Sequence, residues 1–340
     1  MSFQTIPLSQ FIPTTSRQIQ AVVQSTESFI GNLAKNGGPD QSDYPLLDSV
    51  FRQFSQTTFQ DSLSAEQQAS IHDSFGAALS PDTIQGWAYQ KPLGYAGDFK
   101  LIEKIYNFHR SSIPHLAKWD DYFHSQKAPQ AVRNRLSFFL DQLWKTKTEN
   151  PSATQVLNVA SGPGRDMYEA LRVIGASDLR IDCVDQDIHA IDFAKNLCQQ
   201  FLHNINFTHK NIFRFFTNTT YDLIWSAGLF DYFNDNLFKR TIRKFSKLLK
   251  PNGRMVIGNF SPDNPNRGYM ELCNWKLIHR SKQHLQQLAK ESGFHDHQIR
   301  VEQEPTGINL FLVLTNERKE WTYLNREKTG ELSTEPDCSY

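Results

Sequence analysis

A six-residue apolar run, Gln155-Val-Leu-Asn-Val-Ala160, opens directly onto Ser161-Gly-Pro-Gly164, and this junction constrains the fold more than any other feature of the chain. An apolar run of that length reads as a buried strand, and the amphipathic stretch over residues 165–173 reads as the helix that follows it. Glycines at such a strand-to-helix turn let a ligand approach the backbone, because a Cβ there would occupy the ligand's volume. A second strand, residues 179–184, runs into Asp185, 21 positions after Gly164. A carboxylate at that point can accept both hydroxyls of a ribose, so the segment reads as a nucleoside-binding βαβ unit.

The same alternation continues to the end of the domain. Strands are expected over residues 205–209, 221–225 and 254–260, and helices over 188–201, 237–249 and 282–291. Pro251-Asn-Gly253 supplies the stop for the helix at 237–249. The last two strands, 298–301 and 308–314, are separated by only six residues that include Pro305 and Gly307. A parallel neighbour needs a crossover of roughly ten residues or more, so the last strand must be antiparallel. The expected fold is therefore α/β: a Rossmann-like sheet, mostly parallel, with an antiparallel last strand. Before residue 150 the patterning is helical, over 17–33, 46–54, 64–78, 99–108 and 131–144. Ser64 and Gln67 form a capping box, and Pro92, Gly94 and Gly97 break the pattern at 91–98. Three parts result: a helical cap over 1–150, a ligand-binding domain over 151–316 and a polar tail over 317–340.

Composition removes several function classes. Lys+Arg and Asp+Glu are 36 each, so the basic excess of a protein that grips a nucleic-acid backbone is missing. No apolar run approaches the roughly 18 residues of a membrane span, and the N-terminus lacks the basic start and apolar run of a secretory signal. Cys183, Cys198, Cys273 and Cys338 form no CxxC pair, which points to a reducing, cytoplasmic compartment. His295 and His297 lack further ligands at metal-site spacing, so no metal is expected.

Two nucleoside cofactors compete for the βαβ unit. A dinucleotide site prefers a third glycine where Met167 stands, and Asp166 in the first helical turn would repel a pyrophosphate. S-adenosylmethionine needs the glycines and the acid but no phosphate cradle. The motifs Val156-Leu-Asn-Val-Ala-Ser-Gly-Pro-Gly164, Asp185 and Tyr221-Asp-Leu-Ile-Trp-Ser-Ala-Gly228 resemble those of class I S-adenosylmethionine-dependent methyltransferases over residues 150–315. Two positions depart from that pattern: Asn158 stands for the usual first-strand acid and Ala160 for the first loop glycine. Four further segments resemble a bacterial group that includes the synthases of hydroxy-fatty-acid methyl esters. They are Pro92-Leu-Gly-Tyr-Ala-Gly-Asp98, Val132-Arg-Asn-Arg135, Ala227-Gly-Leu-Phe-Asp-Tyr232 and Asn274-Trp-Lys-Leu-Ile-His-Arg280.

The resemblance implies a cofactor site made by Ala160, Ser161, Gly162, Gly164 and Asp166, with Asp185 on the ribose. It further implies Gln186 and Asn211 beside the adenine and Ser226 facing the methionine part. Arg133 and Arg135, just before the first strand, could reach the cofactor carboxylate by bidentate pairing. Acceptor groups are expected at the carboxyl ends of the strands. Asp231 and Tyr232 follow strand four, while Trp275, His279 and Arg280 follow strand five on what reads as a short helix. Tyr95 joins them from the glycine loop of the cap.

A carboxylate acceptor needs no base, only a cation or hydroxyl such as Arg280, Tyr95 or Tyr232 to hold it; a hydroxyl or amine needs proton removal by Asp231 or His279. The expected activity is methylation of a small molecule, at the carboxylate or hydroxyl of an acyl or hydroxy-acid substrate. N-methylation of an amine or amino-acid-derived metabolite, or cofactor binding without catalysis, are the alternatives. The sequence leaves the choice between monomer and homodimer open.

Overall fold

The computed structural model of the protein describes residues 16–54, 63–149 and 153–317. The polar tail expected beyond Glu317 lies outside the described residues from position 318, as does Cys338. Seven helices precede the sheet among the described residues: α1 (Ser16–Lys35), α2 (Tyr44–Gln53), α3 (Ala65–Ser74), α4 (Ile84–Gln90), α5 (Phe99–Tyr106), α6 (Pro114–Ser125) and α7 (Lys127–Glu149). There follow β1 (Thr154–Val159), α8 (Arg165–Val173), β2 (Leu179–Asp185), α9 (Ile188–Leu197), β3 (Ile205–His209) and β4 (Tyr221–Ser226). The chain continues with α10 (Asp235–Ser246), β5 (Leu249–Phe260), α11 (Arg267–Leu272), α12 (Lys282–Glu291), β6 (Ile299–Gln303) and β7 (Asn309–Thr315).

The strands form one sheet in the order β3-β2-β1-β4-β5-β7-β6. All pairs from β3 to β5 are parallel, with Val156 opposite Ile181 on one side and Leu223 on the other. Strand β7 runs antiparallel to both β5 and β6, as the six-residue hairpin requires. Strand alternation sorts the core onto two faces. Leu157, Ile224 and Leu312 pack with Phe238 and Ile242 of α10 and Leu285 of α12. Val156, Leu223 and Phe311 pack on the other face with Phe139 and Leu143 of α7 and Met167 of α8. The strand order reverses between β1 and β4, and that switch point opens a crevice at their carboxyl ends.

The helical layer has its own core. Val23, Leu47, Phe51, Phe75 and Trp119 meet Tyr269, Met270, Trp275 and Leu277, so the segment between β5 and α12 is built into it. The Ser64 capping box is present, with Ser64 Oγ accepting from Gln67 N and Gln67 Oε1 accepting from Ser64 N.

Three local expectations need correction. Helices α4 and α6 were not expected. Gly86 breaks the helical pattern of α4, yet a Cβ there would collide with the Ser80 carbonyl, so close backbone approach is what demands glycine. The Pro251-Asn-Gly253 stop lies inside β5, because α10 ends already at Ser246 and β5 pairs from Leu249 onward. The register with β4 shifts between Tyr221 and Leu223, which accommodates the turn residues within the strand. Residues 275–280 are not helical. Their backbone donors are taken from outside: Ile278 N donates to Asp231 O at 2.7 Å and Arg280 N to Phe260 O at 2.9 Å.

Candidate active site

A cavity of about 410 Å³ fills the crevice at the switch point. Its floor begins with the loop leaving β1. Ala160, Gly162 and Gly164 there have φ of 56°, 53° and 71°. Ala160 N and Ser161 N both donate to Val184 O, which pins the loop to the end of β2. The two glycines do different work. At Gly162, which lines the cavity, a Cβ would meet no atom within 4 Å, so the space above it is open. At Gly164 a Cβ would sit 2.9 Å from the Ala194 Cβ. Gly164 therefore lets α9 pack closely and does not line the cavity, contrary to the expected cofactor contact.

Asp185 lies at the cavity edge, 8% exposed. Its Oδ2 accepts from Gly162 N at 2.8 Å and its Oδ1 from Asp187 N at 2.9 Å. Burial raises its carboxyl above the ordinary range while these N–H donors pull it back. The cap of α9 is Asp187, whose Oδ1 accepts from His189 N, so Asp185 is not spent on capping. Gln186 and Asn211 both line the cavity, and Asn211 Nδ2 donates to Gln186 Oε1 at 3.1 Å. Asp166, in the first turn of α8, also lines it. Its Oδ1 accepts from Tyr106 Oη at 3.1 Å and its Oδ2 from Trp225 Nε1 at 3.0 Å. Ser226 does not reach the cavity: its hydroxyl donates to Val159 O at 2.9 Å and ties β4 to β1.

The opposite wall comes from the helical layer and from the loops after β4 and β5. Phe99, Ile102 and Tyr106 line it from one face of α5, at spacings of three and four. Tyr95, on the glycine loop, donates to Asp187 Oδ2 at 2.7 Å and so bridges the cavity to the β2 end. A Cβ on Gly97 would overlap the Tyr232 hydroxyl. That hydroxyl accepts from Trp275 Nε1 at 3.0 Å and, as a phenol, keeps its own proton at neutral pH.

Asp231 is buried at the inner end. Its Oδ1 accepts from Phe260 N at 2.7 Å and Asn259 Nδ2 at 2.8 Å, and its Oδ2 lies 3.5 Å from Arg135 Nη2. Burial pushes its carboxyl up to about 6 against the pull of Arg135. Of the two arginines before β1, Arg135 lines the cavity, with Nε donating to Asn309 Oδ1 at 2.9 Å. Arg133 faces away: its guanidinium lies 4.2 Å from the centre of the Phe108 ring and contacts His124.

Arg280 and His279 are also outside the cavity lining. Arg280 is fully buried beneath the loop after β4. Its donors go to the carbonyls of Phe230 and Phe233, to Asn259 Oδ1 and to Asp235 Oδ1. It shapes the wall and cannot hold an acceptor. His279 packs edge-on to Phe260 beside Asn264, and burial lowers its pKa to about 4. The non-helical backbone at 275–280 separates Trp275, which reaches the cavity, from these two. Sequence reasoning missed the α5 wall, although the spacing of Phe99, Ile102 and Tyr106 already marks one helix face.

Residues 150–329, more than half of the 340, match the family described as methyltransferase domain. The chain belongs to the methyltransferase-domain family. No curated protein matches this methyltransferase. A possible exported protein from Bordetella parapertussis is similar in structure, with a TM-score of 0.60 and 17% identity over 90% of this chain and 100% of that one. The shared fold thus takes in helical layer and sheet together. The S-adenosylmethionine-dependent methyltransferase SibL in its apo form is 16% identical, over 88% of this chain and 96% of its own, with a TM-score of 0.47. Magnesium protoporphyrin IX methyltransferase from Synechocystis PCC 6803 with bound SAH is 12% identical, over 56% of this chain and 87% of its own, with a TM-score of 0.44.

The methyl donor of this methyltransferase is S-adenosylmethionine, and the residues at the switch point fit it. The open space above Gly162 admits a ligand against the backbone, and Asp185 retains lone pairs toward the cavity for two hydroxyls. Among the described residues no group of three His, Cys, Asp or Glu could hold a metal, and no helix is long and apolar enough to cross a membrane.

Proposed function

We propose that the protein methylates an oxygen of a small, largely apolar acyl or hydroxy-acid substrate. S-adenosylmethionine, when bound, supplies a methyl group activated by its sulfonium. In this reading Gly162 and Asp185 hold the nucleoside, with Gln186 and Asn211 at the adenine edge. The acceptor lies between α5 and the loops after β4 and β5, where Phe99, Ile102, Val132, Phe260 and Leu277 provide an apolar wall. Excluding water there strengthens the few polar contacts that orient the acceptor. Orientation is the main task, because methyl transfer is an in-line displacement.

The observation that carries this reading is the Tyr232 hydroxyl. It accepts from Trp275 Nε1 and keeps its own proton, so it presents a donor to the cavity. A donor suits the non-attacking oxygen of a carboxylate, or a hydroxyl oxygen, better than a protonated amine. Asp231, with its carboxyl near 6, is the group that can take a proton from a hydroxyl acceptor at neutral pH. A carboxylate acceptor needs no such step. The resemblance to the hydroxy-fatty-acid methyl ester synthases points to the same acceptor class. Three buried free thiols, Cys183, Cys198 and Cys273, support a reducing, cytoplasmic setting.

The test is incubation with labelled S-adenosylmethionine and separate sets of fatty, hydroxy and amino acids, followed by mass analysis. The reading predicts a label on oxygen; a methyl ester would be lost on alkaline hydrolysis. An alkali-stable label on nitrogen would overturn it in favour of N-methylation.

A further inference from the structure

The chain is neutral overall, but its charges are not evenly spread. No Asp or Glu stands between positions 193 and 221, nor between 236 and 262, and the second stretch carries seven Lys and Arg. The two stretches meet in the fold. Helix α10 lies against the loop of residues 210–220 that joins β3 to β4. Lys244 Nζ donates to Phe213 O at 2.8 Å, and the Arg240 guanidinium lies 5.9 Å from the centre of the Phe213 ring. Phe215 stacks on Phe245 and so fixes the loop to the helix.

The cations of α10 sort by side. Lys239 pairs with Glu291 Oε2 at 2.7 Å and Arg243 donates to the Glu291 carbonyl, so both are turned to α12. Arg240, Lys244 and Lys247, at spacings of four and three, share the side toward the loop. With Lys210 and Arg214 of the loop they make five cations, and none of the five forms an ion pair among the described residues. Burial, and then the neighbouring Arg240, lowers the Lys244 pKa.

On the same loop stands Phe216, 79% exposed, more than any other large apolar side chain among the described residues. Phe215 beside it is buried, so consecutive rings point to core and to solvent. An exposed aromatic ring on a loop with unpaired cations has the chemistry of a peripheral lipid-binding surface. The ring enters the acyl boundary while the cations meet anionic headgroups. A nucleic-acid groove would instead present several rings to stack successive bases, and this loop exposes one.

We infer that loop 210–220 and the adjoining side of α10 dock the protein onto an anionic lipid surface. Ile212 and Phe213 of the same loop line the cavity, so the docked chain holds its cavity beside the bilayer. Supply of an apolar acceptor from that bilayer rests on the proposed function; the docking does not.

The full-length protein is sedimented with vesicles of phosphatidylcholine alone and of phosphatidylcholine mixed with phosphatidylglycerol, with neither cofactor nor acceptor present. Binding to the mixed vesicles that weakens as salt is added, and none to phosphatidylcholine alone, is expected. Arg240→Gln together with Lys247→Gln should weaken binding about 25-fold, at roughly fivefold for each cation near the surface, and Phe216→Ser about tenfold. Lys239→Gln, on the paired side of the helix, should leave it unchanged; a loss like that of the double variant would overturn the assignment. So would unchanged affinity in either the double variant or Phe216→Ser. Equal binding of the wild type to both vesicle types, or to neither, overturns it without any variant. Tighter binding to a DNA duplex than to the mixed vesicles at the same salt would overturn it in favour of a nucleic-acid surface. Because no acceptor takes part, the vesicle result and the methylation test fail independently of each other.

Discussion

Replacing Asp185 by Ala separates the two tasks that its carboxylate performs. Within the protein it accepts from Gly162 N at 2.8 Å and from Asp187 N at 2.9 Å. Removing it leaves both N–H groups without that partner, at about 1–3 kcal/mol for each one that water cannot reach. The loss is partly offset, because burial already disfavours the charged carboxyl and its pKa is raised for that reason. A modest fall in Tm is therefore expected. Binding should suffer more. Losing a charge-assisted pair of bonds to the ribose costs roughly 1.5–3 kcal/mol, a ten- to hundredfold rise in Kd. Asp185→Asn keeps one oxygen but turns an NH2 group toward one of the two backbone donors, so it should fall between wild type and Ala. Calorimetric titration with S-adenosylhomocysteine, with Tm measured on the same samples, reads both effects. A lowered Tm with unchanged Kd would refute the reasoning and leave Asp185 as a turn brace.

Other substitutions probe other parts of the site. Gly164→Ala forces a side chain into the left-handed region at φ 71° and sets a Cβ 2.9 Å from that of Ala194. It should lower stability by about 1–2 kcal/mol or more in thermal unfolding, with little change in cofactor Kd for the folded protein. Gly97→Ala displaces the Tyr232 hydroxyl and should raise the KM for the acceptor with cofactor Kd unchanged. An unchanged KM would remove Tyr232 from the acceptor wall. His279 has its pKa lowered to about 4 by burial, so between pH 4 and 6.5 the unfolded chain binds a proton that the native state does not. Stability is then lost as pH falls through that window. His279→Asn should flatten this arm by up to about 3 kcal/mol in denaturant titrations, and an unaltered acid limb would contradict the assigned shift.

The sheet was largely legible from the sequence because its signals are local. Strand β3 and helices α8 and α12 fall where apolar periodicity puts them, and the short 302–307 link forces the antiparallel ending. The placement of the β1 loop beside Asp185 was legible for the same reason: the two are adjacent through one βαβ unit. The acceptor half depends on contacts between distant segments, which periodicity does not report. Arg280 reads in sequence as a cation on a short helix, yet in the fold four carbonyl and side-chain acceptors enclose it. Arg133 and Arg135 are two apart and point different ways on α7, one to Phe108 and one to Asp231. Gly162 and Gly164 look alike in sequence, and only the packing of α9 distinguishes open space from helix contact.

The central claim is that the crevice between β1 and β4 takes an adenosyl amino acid. Titrating the full-length protein with S-adenosylhomocysteine and, separately, with NAD tests it most directly. Saturable one-site binding and a rise in Tm with S-adenosylhomocysteine, and neither with NAD, is the predicted result. Stabilisation by NAD, or no response to S-adenosylhomocysteine, would contradict it.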